Sequence, residues 1–508
     1  MANQPDILII GAGIAGLAAG CYAQMNGYRT QIFELNALPG GLCTAWQRQG
    51  YTFDGCIHYL FGSGPGQPFH SLWQELGAVQ NRQFINHEEF MRVVEPGGKT
   101  LIAYCNPDRL EQHLLSLSAA DSQPIKAFCD GVRTFKNFDL SLFQQKPKAL
   151  MGPGDWAGLV KRLLPFARSL GKWGMLPLTE FVSQFQDPFL RRALPQVFAL
   201  PDLPSMVAMT LLAYLDNGNA GFPLGASLDF ARAIEHRYRS LGGEIHYSSP
   251  VEQILVENGQ AVGVRLDSGA EQLAQRVISA CDGRSTLFKM LGGQYLNRQI
   301  QELYDGHMPI YSQLQVSLGL NRDCSDQPPW VTYLLDEPVA IADIPRCEIS
   351  VNHYCFDPSL APPGKSVMMI LMTTTYDYWH RTYGSSLAGS LDDGEVIQEA
   401  HRLIDRLELF YPGLKADIEQ ISVTTPLTYE RHTGNWQGSS NGWVLNKDTL
   451  PQMVKGLPKT LPGLRRFYMV GQWTELGGGL PIVAMSGRNT VQQICHEDRR
   501  RFQVSIPN

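Results

Sequence analysis

Residues 6–34, DILIIGAGIAGLAAGCYAQMNGYRTQIFE, decide the fold. Ile7–Ile10 is a short apolar run suited to a strand buried on both faces. It leads directly into Gly11-Ala12-Gly13-Ile14-Ala15-Gly16, a complete G-x-G-x-x-G. A helix rich in Ala and Leu follows and stops near Asn26-Gly27, where glycine suits the left-handed position past a helix end. A second strand, Thr30–Phe33, ends at Glu34. Each part has a task at a dinucleotide. Gly11 permits the tight turn, Gly13 lets a diphosphate approach the backbone, and Gly16 lets helix and strand pack closely. The helix start, with Ile14 and Ala15, offers free N–H groups and a positive dipole end. Glu34, with Leu35 beside it, stands where a carboxylate accepts bonds from both ribose hydroxyls. It would repel a 2′-phosphate, so NADP is disfavoured.

Composition sets outer limits. A chain of 508 residues is expected to form two or more domains. Its 44% hydrophobic and 18% charged residues describe a globular protein rather than a disordered one. A net charge of −6 excludes the global basic field that points to nucleic acid. Ten cysteines show neither C-x-x-C nor metal-finger spacing, which suits reduced thiols in the cytoplasm and no metal site. No signal peptide is expected, because the first basic residue is Arg29 and the apolar start is already a strand. No apolar run reaches the ~18 residues of a spanning helix. Residues 206–215 are uncharged but short, and suit a buried helix.

Beyond Glu34 comes Leu38-Pro39-Gly40-Gly41-Leu42, then Phe53-Asp54-Gly55-Cys56-Ile57-His58-Tyr59. Backbone at Gly40-Gly41 can fold back against a diphosphate and a flavin. These motifs resemble those of the two-dinucleotide-binding-domain flavoproteins, and among them the phytoene desaturase, carotenoid isomerase and retinol saturase group. Phe-Asp-x-x-Ile-His-Tyr is similar to the retinol saturase branch. Two departures stand out: Leu42 replaces an arginine common in relatives, and Gly55 falls one place early against Phe-Asp-x-Gly. The resemblance implies FAD, with Leu42, His58 and Tyr59 at the cofactor. It also implies that the main chain at Val251 meets the adenine edge and that Ala280 to Asp282 pass near the ribose.

The C-terminal signal points the same way. An apolar strand near residues 467–470 ends in Gly471-Gln472. Gly477-Gly478-Gly479-Leu480-Pro481 then opens a helix from about Ile482. Proline suits a first helical turn, where its missing N–H costs nothing. Such a helix aims its amides at the flavin N1–C2=O edge and favours the negative charge of reduced flavin. Nicotinamide enzymes lack this closing element. No second G-x-G-x-x-G joins a strand to a helix, so electrons pass to or from a quinone, oxygen, transiently docked NAD(P)H or the substrate.

The expected fold is α/β: a Rossmann-type FAD domain (1–76, 221–300, 423–508) with an inserted α+β substrate domain (77–220, 301–422). Residues 77–220 read as helical. The second insert reads as an antiparallel sheet, whose Met368, Ile370 and Met372 suit either a pocket wall or ordinary core. Residues 155–176 interleave Trp, Leu and Phe with Lys161, Arg162, Arg168 and Lys172 against one Asp155. That composition suits a helix in a membrane interface, with tryptophans at headgroup level, or a helix packed on its own domain and kinked at Pro165. A peripheral membrane contact is therefore one expectation.

The implied activity is hydride transfer through flavin N5 on C–C or C=C bonds of a long apolar polyene or isoprenoid. An amine oxidase on the same framework and a non-catalytic flavin or carotenoid carrier are the alternatives. His58, Glu430 and His432 are the candidates to move a proton beside the flavin. His58 could instead only bond a flavin carbonyl or the backbone. The cluster Tyr429-Glu430-Arg431-His432 reads either as an ionised site or as a salt-bridged surface turn.

Overall fold

Alternation along the first strand sets the layering in the computed structural model, which describes residues 4–198, 203–306, 308–384, 394–446, 448–449, 452 and 456–507. Ile7 and Ile9 point to one side and join a core with the helices Ile14–Met25, Ala226–Ser240 and Leu480–Glu497. Leu8 and Ile10 point to the other side, against the meander Val251–Glu257, Gln260–Leu266 and Glu271–Leu273. A strand covered on both faces must be apolar throughout, and all four residues are buried. The sheet is parallel, ordered Glu244–His246, Thr30–Phe33, Ile7–Ile10, Arg276–Ser279, Phe467–Met469. The central strand is flanked by partners that follow it in sequence on either side, as in doubly wound folds.

A second, seven-stranded sheet has the order Ile418–Thr424, Ser312–Leu320, Ser366–Thr374, Ile344–His353, Trp330–Ile341, Glu89–Val94, Thr100–Tyr104. All its pairings are antiparallel except that between Trp330–Ile341 and Glu89–Val94. Residues 77–220 are thus not wholly helical. Two of their strands, Glu89–Val94 and Thr100–Tyr104, extend this sheet, and their helices, Ser122–Phe135 and Ser205–Asp216 among them, share one core around Phe128, Phe135 and Met209. Met368, Ile370 and Met372 belong to an ordinary core with Trp379 and Leu403.

Two further differences have local causes. Residues 425–434 form a helix, Pro426–Thr433, rather than a turn. Thr425 caps it reciprocally with Thr428, and Pro426 fills its first turn. Residues 155–176 form two helices, Pro153–Leu163 and Ala167–Trp173, broken by a turn of 3₁₀ helix around Pro165. Trp173 is buried against Phe181, so it is no headgroup anchor; Trp156 stays exposed.

Candidate active site

The G-x-G-x-x-G turn forms the floor of a cleft of about 590 Å³. Gly11 has φ +97°, and its N–H donates to the Phe33 carbonyl at 2.8 Å. A Cβ on Gly16 would lie 2.0 Å from the Gly11 carbonyl oxygen, so only glycine lets the helix sit there. Gly16 therefore acts by packing and does not line the cleft. A Cβ on Gly13 would meet nothing closer than the Gly40 carbonyl at 4.0 Å. Gly13 faces open cleft, which is the space a diphosphate needs. Ile14 and Ala15 line the cleft at the start of Ile14–Met25, whose first turn has no side-chain cap. Its N–H groups are left for a ligand.

Glu34 closes one wall. Its carboxylate accepts the N–H of Ala12 at 2.6 Å and of Asn36 at 2.9 Å. Burial lifts its carboxyl above the usual range, against the pull of those donors. Gly40, Gly41 and Leu42 come over the turn, with the Gly40 N–H donating to the Ala12 carbonyl at 2.9 Å. Val251 and Ala280 form the far wall with Asp282, whose carboxylate accepts the N–H of Ser285 at 2.6 Å and of Trp436 at 2.9 Å. Asp282 thus ties the returning segment to the sheet. Lys289, which sequence reasoning missed, is the one cation in the cleft wall among the described residues. It stands in a lining that holds Leu42 in place of an arginine.

Gly471, Gln472 and Leu480 line the opposite end, with Val483 in place of the expected Pro481 and Ile482. The closing helix starts at Leu480, and Gly477, Gly478 and Gly479 before it all have positive φ. Its N-terminus has no side-chain cap either. Two uncapped helix ends, an acid and a glycine-lined floor fit a dinucleotide with one anionic diphosphate and a ring that gains negative charge. Asn36, Cys43, Trp473 and Asn435 also line the cleft. No motif singles them out; only the fold brings them there.

His58 and Tyr59 lie elsewhere, in a second cavity of about 40 Å³ whose wall includes Phe90, Phe222, Trp330, Asn352, Tyr354 and Phe356. Asp54 builds the turn that presents them. Its buried carboxylate accepts the Cys56 N–H at 2.8 Å, and the Ser227 N–H and hydroxyl at 2.7 and 2.6 Å. Ser227 Oγ in turn accepts the Ile57 N–H at 2.8 Å. His58 Nδ1 is 3.5 Å from both Asn352 Nδ2 and Tyr354 Oη. Burial lowers this imidazole to about 4, so it is neutral at neutral pH.

The three proton-transfer candidates are not brought together. Glu430 accepts a hydrogen bond from Tyr376 Oη and lines neither cavity. His432 lines neither as well; burial lowers its imidazole, and its carbonyl accepts a bond from Asn36 Nδ2.

A family model described as flavin containing amine oxidoreductase matches residues 14–495. The chain is 25% identical to a chloroplastic prolycopene isomerase of Daucus carota, covering 96% of this chain and 79% of that one. It is 24% identical to a 4,4'-diapophytoene desaturase (4,4'-diapolycopene-forming) of Methylomonas sp, covering 99% and 98%. Among solved structures, an oxidoreductase from Methanosarcina mazei aligns with a TM-score of 0.59 at 19% identity, covering 96% of this chain and 99% of that one. With its two dinucleotide-facing helix ends and a family match across nearly its whole length, this chain belongs to the flavin containing amine oxidoreductases and is an oxidoreductase whose cofactor is FAD.

Proposed function

We propose that this enzyme desaturates, saturates or isomerises C–C and C=C bonds of a long apolar polyene or isoprenoid. The observation that carries this reading is the second cavity, with room for one end of such a chain: its wall holds Phe, Tyr, Trp, Leu, Ala and Pro, together with three histidines and Asn352, and no Asp, Glu, Lys or Arg among the described residues. A polyene offers almost no hydrogen bonds, so its binding comes from buried apolar area and from shape. The near-full-length likeness to a prolycopene isomerase and a diapophytoene desaturase supports the same substrate class. Bound FAD supplies hydride acceptance or donation at its ring; a quinone, oxygen or NAD(P)H exchanges the electrons.

The chain's own part is to hold the substrate, exclude water and manage one proton. His58, neutral and held by the Asp54–Ser227 turn, is the group we assign to that proton. His58→Ala should keep FAD bound and slow turnover by about 10²-fold. Full activity in that variant would leave positioning as the whole of its catalysis.

A membrane contact fits such a substrate. No helix among the described residues is long and apolar enough to cross a membrane. Pro153–Leu163 buries no residue, and Trp156, Val160 and Leu164 stand exposed four residues apart, beside Lys161 and Arg162. We assign this stripe to the interface from which the lipid enters.

Amine oxidation is the second reading, favoured by the aromatic lining of the cavity. A cationic amine would lack a carboxylate partner there. Incubating the FAD-loaded enzyme with an acyclic C40 polyene and with putrescine, then weighing the products, separates the two. A polyene changed by two hydrogens or isomerised supports the proposal. Aldehyde from the amine with the polyene untouched would sink it.

A further inference from the structure

The small cavity beside His58 carries more polarity than a hydrocarbon needs. Three residues of its wall each carry a buried polar atom with no hydrogen-bond partner: Trp330 Nε1, His87 Nε2 and Asn352 Oδ1. Native structures leave few such atoms, and three around one space of about 40 Å³ point to a missing partner. Their convergence is set by the backbone. Trp330 and Asn352 are register partners on adjacent antiparallel strands, so their side chains share one face. The His58 ring lies 5.5 Å from the Trp330 ring, and His87 packs edge-on at 4.6 Å against Phe356. The His58 Nδ1 contacts with Asn352 Nδ2 and Tyr354 Oη, at 3.5 Å each, are long enough to yield to a better partner.

The chemistry of the unpartnered atoms defines the occupant. Indole Nε1–H can only donate, and the Asn352 amide oxygen can only accept. A hydroxyl satisfies both at once, and a carbonyl satisfies the donor. A carboxylate does not fit, because no cation lines the cavity among the described residues. Burial holds His58 and His87 below their ordinary range, so neither imidazole supplies that charge at neutral pH. Size restricts the occupant further. One water needs roughly 10–15 Å³ of such space, so the cavity takes a small terminal group and not the polyene chain.

We propose that Trp330 Nε1–H, Asn352 Oδ1 and His87 form a subsite for a neutral oxygen group, a hydroxyl or carbonyl, at the end of the isoprenoid. This rests on the polyene reading above and narrows it to oxygenated substrates. The hydrocarbon of the same skeleton would leave all three polar atoms buried and unpaired, a situation that strongly favours the oxygenated ligand.

The test is equilibrium binding of lycopene and of its 1-hydroxy-1,2-dihydro derivative to the FAD-loaded enzyme, partitioned from detergent micelles and counted by chromatography. The hydroxylated ligand should bind at least roughly 10-fold more tightly, the scale of one net hydrogen bond. Trp330→Phe, which keeps an aromatic ring and removes the donor, should erase most of that preference, because lycopene then no longer strands a buried N–H. Asn352→Leu should act in the same direction, which guards against a fold defect in either variant. Flavin-fluorescence melting confirms that each variant is folded. Equal binding of the two ligands to the wild type overturns the subsite, with water as the occupant, and leaves the polyene reading standing. Equal weakening of both ligands by Trp330→Phe also overturns it, since the ring then acts only by packing. If neither ligand binds, the polyene reading fails and the subsite with it.

Discussion

At the residue scale, two glycines three positions apart have opposite tasks. Gly16 is pinned by the fold: a methyl there would lie 2.0 Å from the Gly11 carbonyl. Gly13 is free in the fold and constrained only by its ligand. Gly16→Ala should therefore destabilise the apoprotein, by roughly 1–3 kcal/mol for overpacking. Gly13→Val should melt like the wild-type apoprotein yet take up no FAD on titration. Normal FAD uptake by Gly13→Val would mean the diphosphate lies elsewhere. A pH signature belongs to this scale too. His353 is buried, its Nδ1–H donating to the Pro328 carbonyl at 2.7 Å and its Nε2 accepting from Tyr411 Oη at 2.9 Å. Burial lowers it to about 4. In the unfolded chain, at its ordinary value near 6.5, it binds a proton first as the pH falls. Its contribution is thus whole above pH 6.5 and lost on going down to about pH 4, worth on the order of 3 kcal/mol. Urea midpoints at pH 7.5 and 4.5 should differ less in His353→Gln than in the wild type. An unchanged pH dependence would show that this imidazole is not neutralised by burial.

Elements carried different amounts of legible signal. The strand–turn–helix at residues 6–34 could be read because buried-strand, glycine and helix-end rules all coincide there. The closing helix was legible for the same reason, to within two residues, because Pro481 and three glycines mark its start. Glu89–Val94 and Thr100–Tyr104 were not. In the first the alternation breaks at a bulge between Glu89 and Met91, where Phe90 and Met91 are both buried, and what builds it into the sheet is pairing with Trp330–Ile341, more than 200 residues away; the second enters only as the hairpin partner of the first. The Pro426–Thr433 helix was obscured by a capping box built from Thr428 rather than an acid. The cavity around His58 was the least legible part. His58 could be named from its motif, but His87, Trp330 and Asn352 come from three separate strand and turn segments with no local pattern. The helix pair Pro153–Leu163 and Ala167–Trp173 has a test of its own. Each basic residue near an anionic surface is worth ~1 kcal/mol. Changing Lys161, Arg162, Arg168 and Lys172 to Gln should release the protein from anionic vesicles in a sedimentation assay. Unchanged co-sedimentation would make the exposed stripe irrelevant to lipid.

Across the whole molecule, the two sheets divide the work. The parallel sheet, with uncapped helix ends over a glycine floor, holds an anionic dinucleotide. The seven-stranded sheet supplies Trp330, Asn352 and His353 to a second cavity with an uncharged, largely aromatic wall. Asp54 and Ser227 connect the two regions: Cys43 of the cleft wall donates to the Ser227 carbonyl at 3.3 Å, and the same serine steadies the turn that presents His58. Electrons at the cleft thus act on an apolar chain whose end lies in the second cavity. Anaerobic incubation of oxidised and of prereduced enzyme with an acyclic C40 polyene, reading polyene absorption and mass with the flavin band, is the decisive measurement. The expected result is a polyene whose conjugation or geometry changes only with FAD-loaded protein, in one of the two redox states. A polyene left unchanged in both states, while putrescine bleaches the flavin, would contradict it.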